Sequence, residues 1–361
     1  MFGIKINLSC TEINVQIKEI SSDIILFEMF IRIWADFLLI NSIIDVLNNR
    51  QDLFVGTLSL NQPRFRSNAT WESTATIFAN RTTVGSYPRG IFITSKNSIY
   101  ISDLINDEIH IWENESSVYP SKNIPSSLID PYSIYVTSNG DIYGDGGANN
   151  CIDKWIAENE TWVPVMDTSS TCYSLFVDIY DNLYCSMYNK HRVDKKWSNG
   201  VTTIVAGRGV RGSSLDMLNG PYGIFVDVNL DVYVADSDNS RIQLFRFNQP
   251  NGITIAGSES STLSIELKKP TGIALDGDRY LFIIDGGNHR IVGSNQYGFH
   301  CIFGCSGQNL TNNKLNHPIG MAFDSYGNIY VTDEGDHQIK KYIYQKSLIV
   351  NINIYFSLYT F

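Results

Sequence analysis

One phrase recurs six times along the chain, and it limits the fold more than any other feature. It reads YPRGIFITSKNSIYISDLINDEIHIW from Tyr87 and GPYGIFVDVNLDVYVADSDNSRIQLF from Gly220. The copies lie near 87–112, 130–155, 171–197, 220–245, 269–294 and 317–342. Aligned on a proline (Pro88, Pro131, Cys172 in its place, Pro221, Pro270, Pro318), they start 43, 41, 49, 49 and 48 residues apart. That is the period of a four-stranded propeller blade.

Each copy parses into strands. A small residue follows the anchor (Gly90, Ser133, Ser174, Gly223, Gly272, Gly320), expected to let the chain turn tightly into a strand. Three consecutive apolar residues come next, such as Ile224-Phe225-Val226, a run that buries both faces of a strand. A polar turn such as Asp324–Asn328 then leads to a second apolar strand, Ile329-Tyr330-Val331. Third and fourth strands read plainly in Arg241–Phe245 and Val201–Ala206. A lone four-stranded meander cannot bury both faces, so copies must stack, and six stacked radially close a ring. The expected fold is all-β, a six-bladed β-propeller of four-stranded antiparallel blades over residues 61–345. Residues 71–79 resemble the fourth-strand linker and are expected to close the last blade, with the β-branched tail from residue 346 as the competing segment. Residues 1–60 are expected to form a separate segment with a short amphipathic helix, because Glu28, Arg32 and Asp36 recur at helical spacing in an apolar stretch.

The pattern P-x-G-I-x-V-D-x-x-G-N-I/V-Y-V-x-D-x-x-N-x-R-I-Q resembles the NHL repeat, and Pro221–Phe245 follows it almost position by position. The resemblance covers roughly residues 87–342. It implies a propeller fold. It leaves function open, since NHL propellers include RNA-binding, ubiquitin-ligase-associated, sensor-type and lyase members.

Composition narrows the partners. With 27 basic and 37 acidic residues the net charge is −10, which disfavours nucleic acid as a ligand. Charges at four-residue steps break the one long apolar stretch, so no transmembrane span is expected. MFGIKINLSC lacks the features of a secretory leader. Six cysteines are too few for a disulfide scaffold at this length. Cys172 and Cys185 nevertheless stand at unusual positions of one blade, across one hairpin, and Cys301 and Cys305 bracket a short glycine-containing loop. Both pairs are expected to be disulfides, which would place the protein in an extracellular-type, oxidising environment; free thiols would point to the cytoplasm.

Three sets of side chains are candidate sites. Arg89, Tyr132, Tyr173 and Tyr222 each follow an anchor and are expected to form an arc at the channel mouth, where arginine and tyrosine are common binding anchors. His191, His289 and His337 share one repeat position and could in principle hold zinc. Zinc-dependent lyases of this shape would carry histidine directly after the anchor, and no copy here does, so exposed loop residues and no metal are expected. Asp103, Asp236, Asp285 and Asp333 precede the third strand, and Arg192, Arg241 and Arg290 open it. Turn hydrogen bonding accounts for these better than a cation site. No catalytic motif is present. The sequence therefore favours a non-enzymatic monomer, with no cofactor, whose loop face binds a protein, peptide or glycan. A metal-dependent lyase or lactonase is the rival, and an RNA-binding propeller comes third.

Overall fold

The computed structural model describes residues 59–345, except 114, 116, 126, 127, 129, 259, 261–264 and 306–313. The stretch expected to hold the amphipathic helix and the tail from residue 346 lie outside the described residues. Among the described residues no helix is long and apolar enough to cross a membrane.

Six four-stranded antiparallel sheets make a six-bladed propeller. Blade 1 runs outward from Ile91–Ile93 through Ile99–Asp103 and Glu108–Trp112 to Lys122–Pro125. The inner strands of blades 2 to 5 are Ile134–Val136, Ser174–Val177, Pro221–Val226 and Gly272–Leu275. Blade 6 takes Pro318–Phe323, Ile329–Asp333 and Gln338–Tyr342 from the end of the chain. Its outer strand is Thr76–Ala79, with Thr76 opposite Lys341 and Ala79 opposite Ile339. A second small ladder, Thr70–Trp71 on Tyr344–Gln345, ties the same two stretches together.

Apolar side chains at these closing segments explain why they dock. Phe65 and Trp71 are buried against Phe282 and Phe323, with ring centroids 5.0–5.8 Å apart. The Trp71 indole N–H donates to the Gly327 carbonyl at 2.8 Å, so the ring is buried without orphaning its polar atom. On the other side of blade 6, Phe78 packs on Trp112 of blade 1 and Tyr330.

The small residue after each anchor has a different job from the expected turn. Adjacent inner strands pass so closely that a Cβ on Gly223 would lie 2.5 Å from the Thr271 carbonyl oxygen of the next blade. On Gly320 it would lie 2.6 Å from the Arg89 carbonyl oxygen. Where serine replaces glycine, its hydroxyl becomes the inter-blade contact. Ser133 Oγ accepts from the Leu175 amide and Ser174 Oγ from the Ile224 amide.

Two cystines are present, Cys172–Cys185 with Cα atoms 5.5 Å apart and Cys301–Cys305 at 5.9 Å, both within the range that bonding needs. Replacing Gly223 by Ala should destabilise the propeller by about 1–3 kcal/mol, since backbone rather than a flexible side chain must yield. Urea unfolding checks this, and an unchanged midpoint would show that the inner strands can separate freely.

Candidate functional site

The top of each blade, where the second strand turns into the third and the chain crosses to the next blade, is held by one repeated device. The second strand ends in a three-residue 3-10 turn in blades 2 to 6, followed by a left-handed residue: Asn150, His191, Ser240, His289 and His337, with φ of 52–55°. Asparagine and histidine tolerate that conformation better than most residues. In three blades the imidazole also reaches the next crossing. His191 Nδ1 accepts from the Gly220 amide at 3.1 Å, His289 Nδ1 from His317 at 3.0 Å and His337 Nδ1 from Tyr87 at 3.2 Å. The three histidines therefore serve three separate blade junctions. They are loop residues, His289 exposed and His191 and His337 half-buried, and each is an acceptor with a defined partner.

The recurrent aspartates work beside them. Asp236, Asp285 and Asp333 accept from the amides of Asn219, Lys268 and Asn316, each two residues before the anchor of the same blade. Each also pairs with a basic side chain of its own third strand: Arg241 at 2.7 Å, Arg290 at 2.8 Å and Lys340. Asp103 uses His110 in that role at 3.2 Å. Blade 3 has Met187 at this place, and its Arg192 turns to Asp194 instead. Among the described residues no group of three or more histidines, cysteines or carboxylates is arranged to hold a metal ion.

Arg89, Tyr132, Tyr173 and Tyr222 come together at the upper mouth of the axial channel. The Arg89 guanidinium lies 4.0 Å above the Tyr132 ring. Tyr132 and Tyr173 have centroids 4.6 Å apart, and Tyr173 and Tyr222 are 4.9 Å apart. Three residues further along the same strands lies a second tier, Phe92, Tyr135, Phe176 and Phe225, at 4.8–5.3 Å steps. Blades 5 and 6 carry no ring at either level: Thr271 and Ile319 stand at the upper positions, Ala274 and Ala322 at the lower. The channel is thus aromatic on one side and small-chained on the other. Ser59–Pro63 cross its lower end. Leu60 bridges to Thr94 of blade 1, and the Gly277 amide of blade 5 donates to the Pro63 carbonyl at 3.0 Å.

Four further residues complete the mouth, and the sequence reading passed over all of them. Glu334 and Tyr188 occupy the same repeat position, sixteen residues after their anchors. Glu334 bonds Arg89 Nε at 2.6 Å and His317 Nδ1 at 2.8 Å. Tyr188 stacks near Tyr173 and donates to Asp238 at 2.7 Å. Comparing that one column across the copies would have revealed both. Asp145 is the fourth, fully buried below Tyr132 and bonded by the amides of Tyr132, Ser133 and Gly147. Blades 1, 3 and 6 place the hydroxyls of Ser102, Ser186 and Thr332 at this strand position. Burial pushes the Asp145 carboxyl up to about 7 against the pull of its three amide donors and Arg89.

Charge at the mouth is internally balanced. Burial disfavours the Arg89 cation, but the Glu334 carboxylate together with Tyr222 and Tyr132 outweighs it. The Glu334 hydrogen bond raises the His317 imidazole above its ordinary 6.5, with burial opposing. Burial would raise Glu334, yet His317 and Arg89 together hold it below its ordinary 4.5. The His317 contribution is therefore complete below about pH 6.5 and lost as pH rises through its folded value. The Glu334 contribution is complete above about pH 4.5 and lost as pH falls through its folded value. A double-mutant cycle with His317→Gln and Glu334→Gln should show coupling greatest between about pH 4.5 and 6.5; coupling that is flat from pH 4 to 9 would contradict the pairing.

No curated protein sequence matches the chain. Among solved structures it is similar to a streptogramin B lyase, at 14% identity over 75% of this chain and 97% of that one, TM-score 0.54. It is also similar to a catalytically inactive virginiamycin B lyase from Staphylococcus aureus with quinupristin, at 16% identity over 73% and 97%, TM-score 0.53. A gluconolactonase from Xanthomonas campestris matches at 11% identity over 80% and 97%, TM-score 0.57. At these identities the likeness is one of fold. The NHL repeat model matches residues 218–245 and 315–342, the cores of blades 4 and 6. With its six blades closed into a ring, the chain is a six-bladed β-propeller that carries NHL repeats.

Proposed function

We propose that this propeller is a non-enzymatic interaction module whose upper loop face binds a protein, peptide or glycan at Arg89, Tyr132, Tyr173 and Tyr222. One observation carries the reading: the arginine and tyrosines sit at a mouth whose channel is otherwise lined by apolar and hydroxyl side chains and the Asn61 carboxamide. The described residues lining the shaft include no carboxylate, imidazole or thiol, and Glu334, His317 and Asp145 at the mouth are engaged by Arg89, by one another and by backbone amides. Two structural neighbours are a streptogramin B lyase and a gluconolactonase, so a channel enzyme is the rival reading. Such an enzyme would need ligating and proton-transferring groups facing the axis. Tyrosine and arginine contribute large contact area with few rotors to freeze, which suits recognition rather than turnover. The two cystines support an oxidising, extracellular-type setting, and the net charge of −10 argues against a nucleic-acid backbone.

Glycan and peptide arrays probed with the full chain, beside Tyr132→Ala and Tyr173→Ala, test this. Ligands captured by the parent protein should bind either variant at least about tenfold more weakly, the effect of a lost interface anchor. Equal capture by the variants, or lactone turnover by the parent protein, would contradict the proposal.

A further inference from the structure

The channel below the mouth has its own chemistry. Counted together with the mouth, the cavity has a volume of about 140 Å³. Cavities of about 150 Å³ lined by Leu, Ile and Phe stay dry and take up benzene or xenon. Here one wall is the tier of Phe92, Tyr135, Phe176 and Phe225, and the facing wall is built from Ala274 and Ala322.

The hydroxyls along the shaft are already committed to holding blades together. Ser133 Oγ accepts from the Leu175 amide at 3.0 Å and Ser174 Oγ from the Ile224 amide at 3.2 Å. Thr271 Oγ1 donates to the Pro318 carbonyl at 2.9 Å. An internal water needs two to four polar partners, and each of these hydroxyls already spends one of its bonds on the neighbouring blade. The lower end is covered by Leu60, so entry is from the tyrosine mouth.

We propose that the axial channel is a binding site for one small apolar ring, a benzene-sized monocycle, lodged between Phe176 and Ala274. The ring has aromatic edges and faces on one side and methyl groups on the other, which is the contact set that apolar monocycles prefer. The ring shares its cavity with the Arg89–Tyr222 arc above it, but its own contacts are the lower tier of Phe92, Tyr135, Phe176 and Phe225 and the alanines facing it.

Crystals of the full chain soaked with iodobenzene locate the site directly, and a titration with benzene followed by ligand-detected NMR measures it in solution. Iodine density in the channel and saturable binding are expected. Ala274→Leu fills the small-chained wall and should weaken benzene at least about tenfold. Leu60→Ala opens the floor and should shift preference toward naphthalene by at least about threefold. Iodine found only outside the channel overturns the proposal, as does unchanged benzene affinity in an Ala274→Leu protein that melts like the parent. Should that variant fail to fold, the iodine position and the Leu60→Ala preference decide: an unaltered preference for benzene there also counts against the site.

Discussion

Backbone contact between neighbouring inner strands is the constraint on which the rest of the molecule rests. At Gly223 and Gly320 there is no room for a Cβ against the next blade, and at Ser133 and Ser174 the hydroxyl bonds the next blade's amide. Strands brought this close leave a narrow axis, so whatever projects into it is forced into contact around the ring. The tyrosine arc and the phenylalanine-rich tier beneath it are consequences of that spacing. Because every blade leans on two neighbours, the sixth must lean on the first. The chain achieves this by lending Thr76–Ala79 to the end of its own sequence.

The junctions on the upper face show how one backbone requirement selects side chains that look functional. A left-handed residue must follow each 3-10 turn in blades 2 to 6, and a nearby amide at the blade crossing needs an acceptor. Histidine meets both demands in blades 3, 5 and 6, serine the same pair in blade 4, where Ser240 Oγ lies 3.5 Å from the Lys269 amide. The recurrence of His191, His289 and His337 is therefore a product of the fold. In contrast, Arg89, Glu334 and His317 are linked across the junction of blades 6 and 1 in a way no other junction repeats. Departure from the repeat, more than conservation of it, marks the candidate site.

This explains what could be read from the sequence. Strand runs such as Leu281–Asp285 are apolar at almost every position because both faces are covered, and that signal is local and repeated six times. The match of the Trp71 stretch to the later linker was visible because a fourth strand has the same needs wherever it lies in the chain. The arc of Arg89, Tyr132, Tyr173 and Tyr222 was visible for the same reason, as one column of the repeat. Glu334 and Tyr188 share a readable column, but their partners Arg89 and Asp238 lie in other blades, and His317 matters only through Glu334. Asp145 was hidden because it stands one position before the recurrent aspartates, in the column that holds Ser102 and Thr332 in other copies. The crossing of Ser59–Pro63 beneath the channel carries no repeat signal at all, and its polar anchors are backbone groups of blades 1 and 5.

Ring closure by the early strand is the claim that most directly supports this account. Two truncated chains separate it from simple packing, one beginning at residue 57 and one at residue 80. Sedimentation and thermal melting should find the longer chain monodisperse with a single cooperative transition. The shorter should aggregate, because blade 6 then presents Gln338–Tyr342 as an unpaired edge. Identical sedimentation and melting of the two would show that the ring holds without Thr76–Ala79, and would contradict the account.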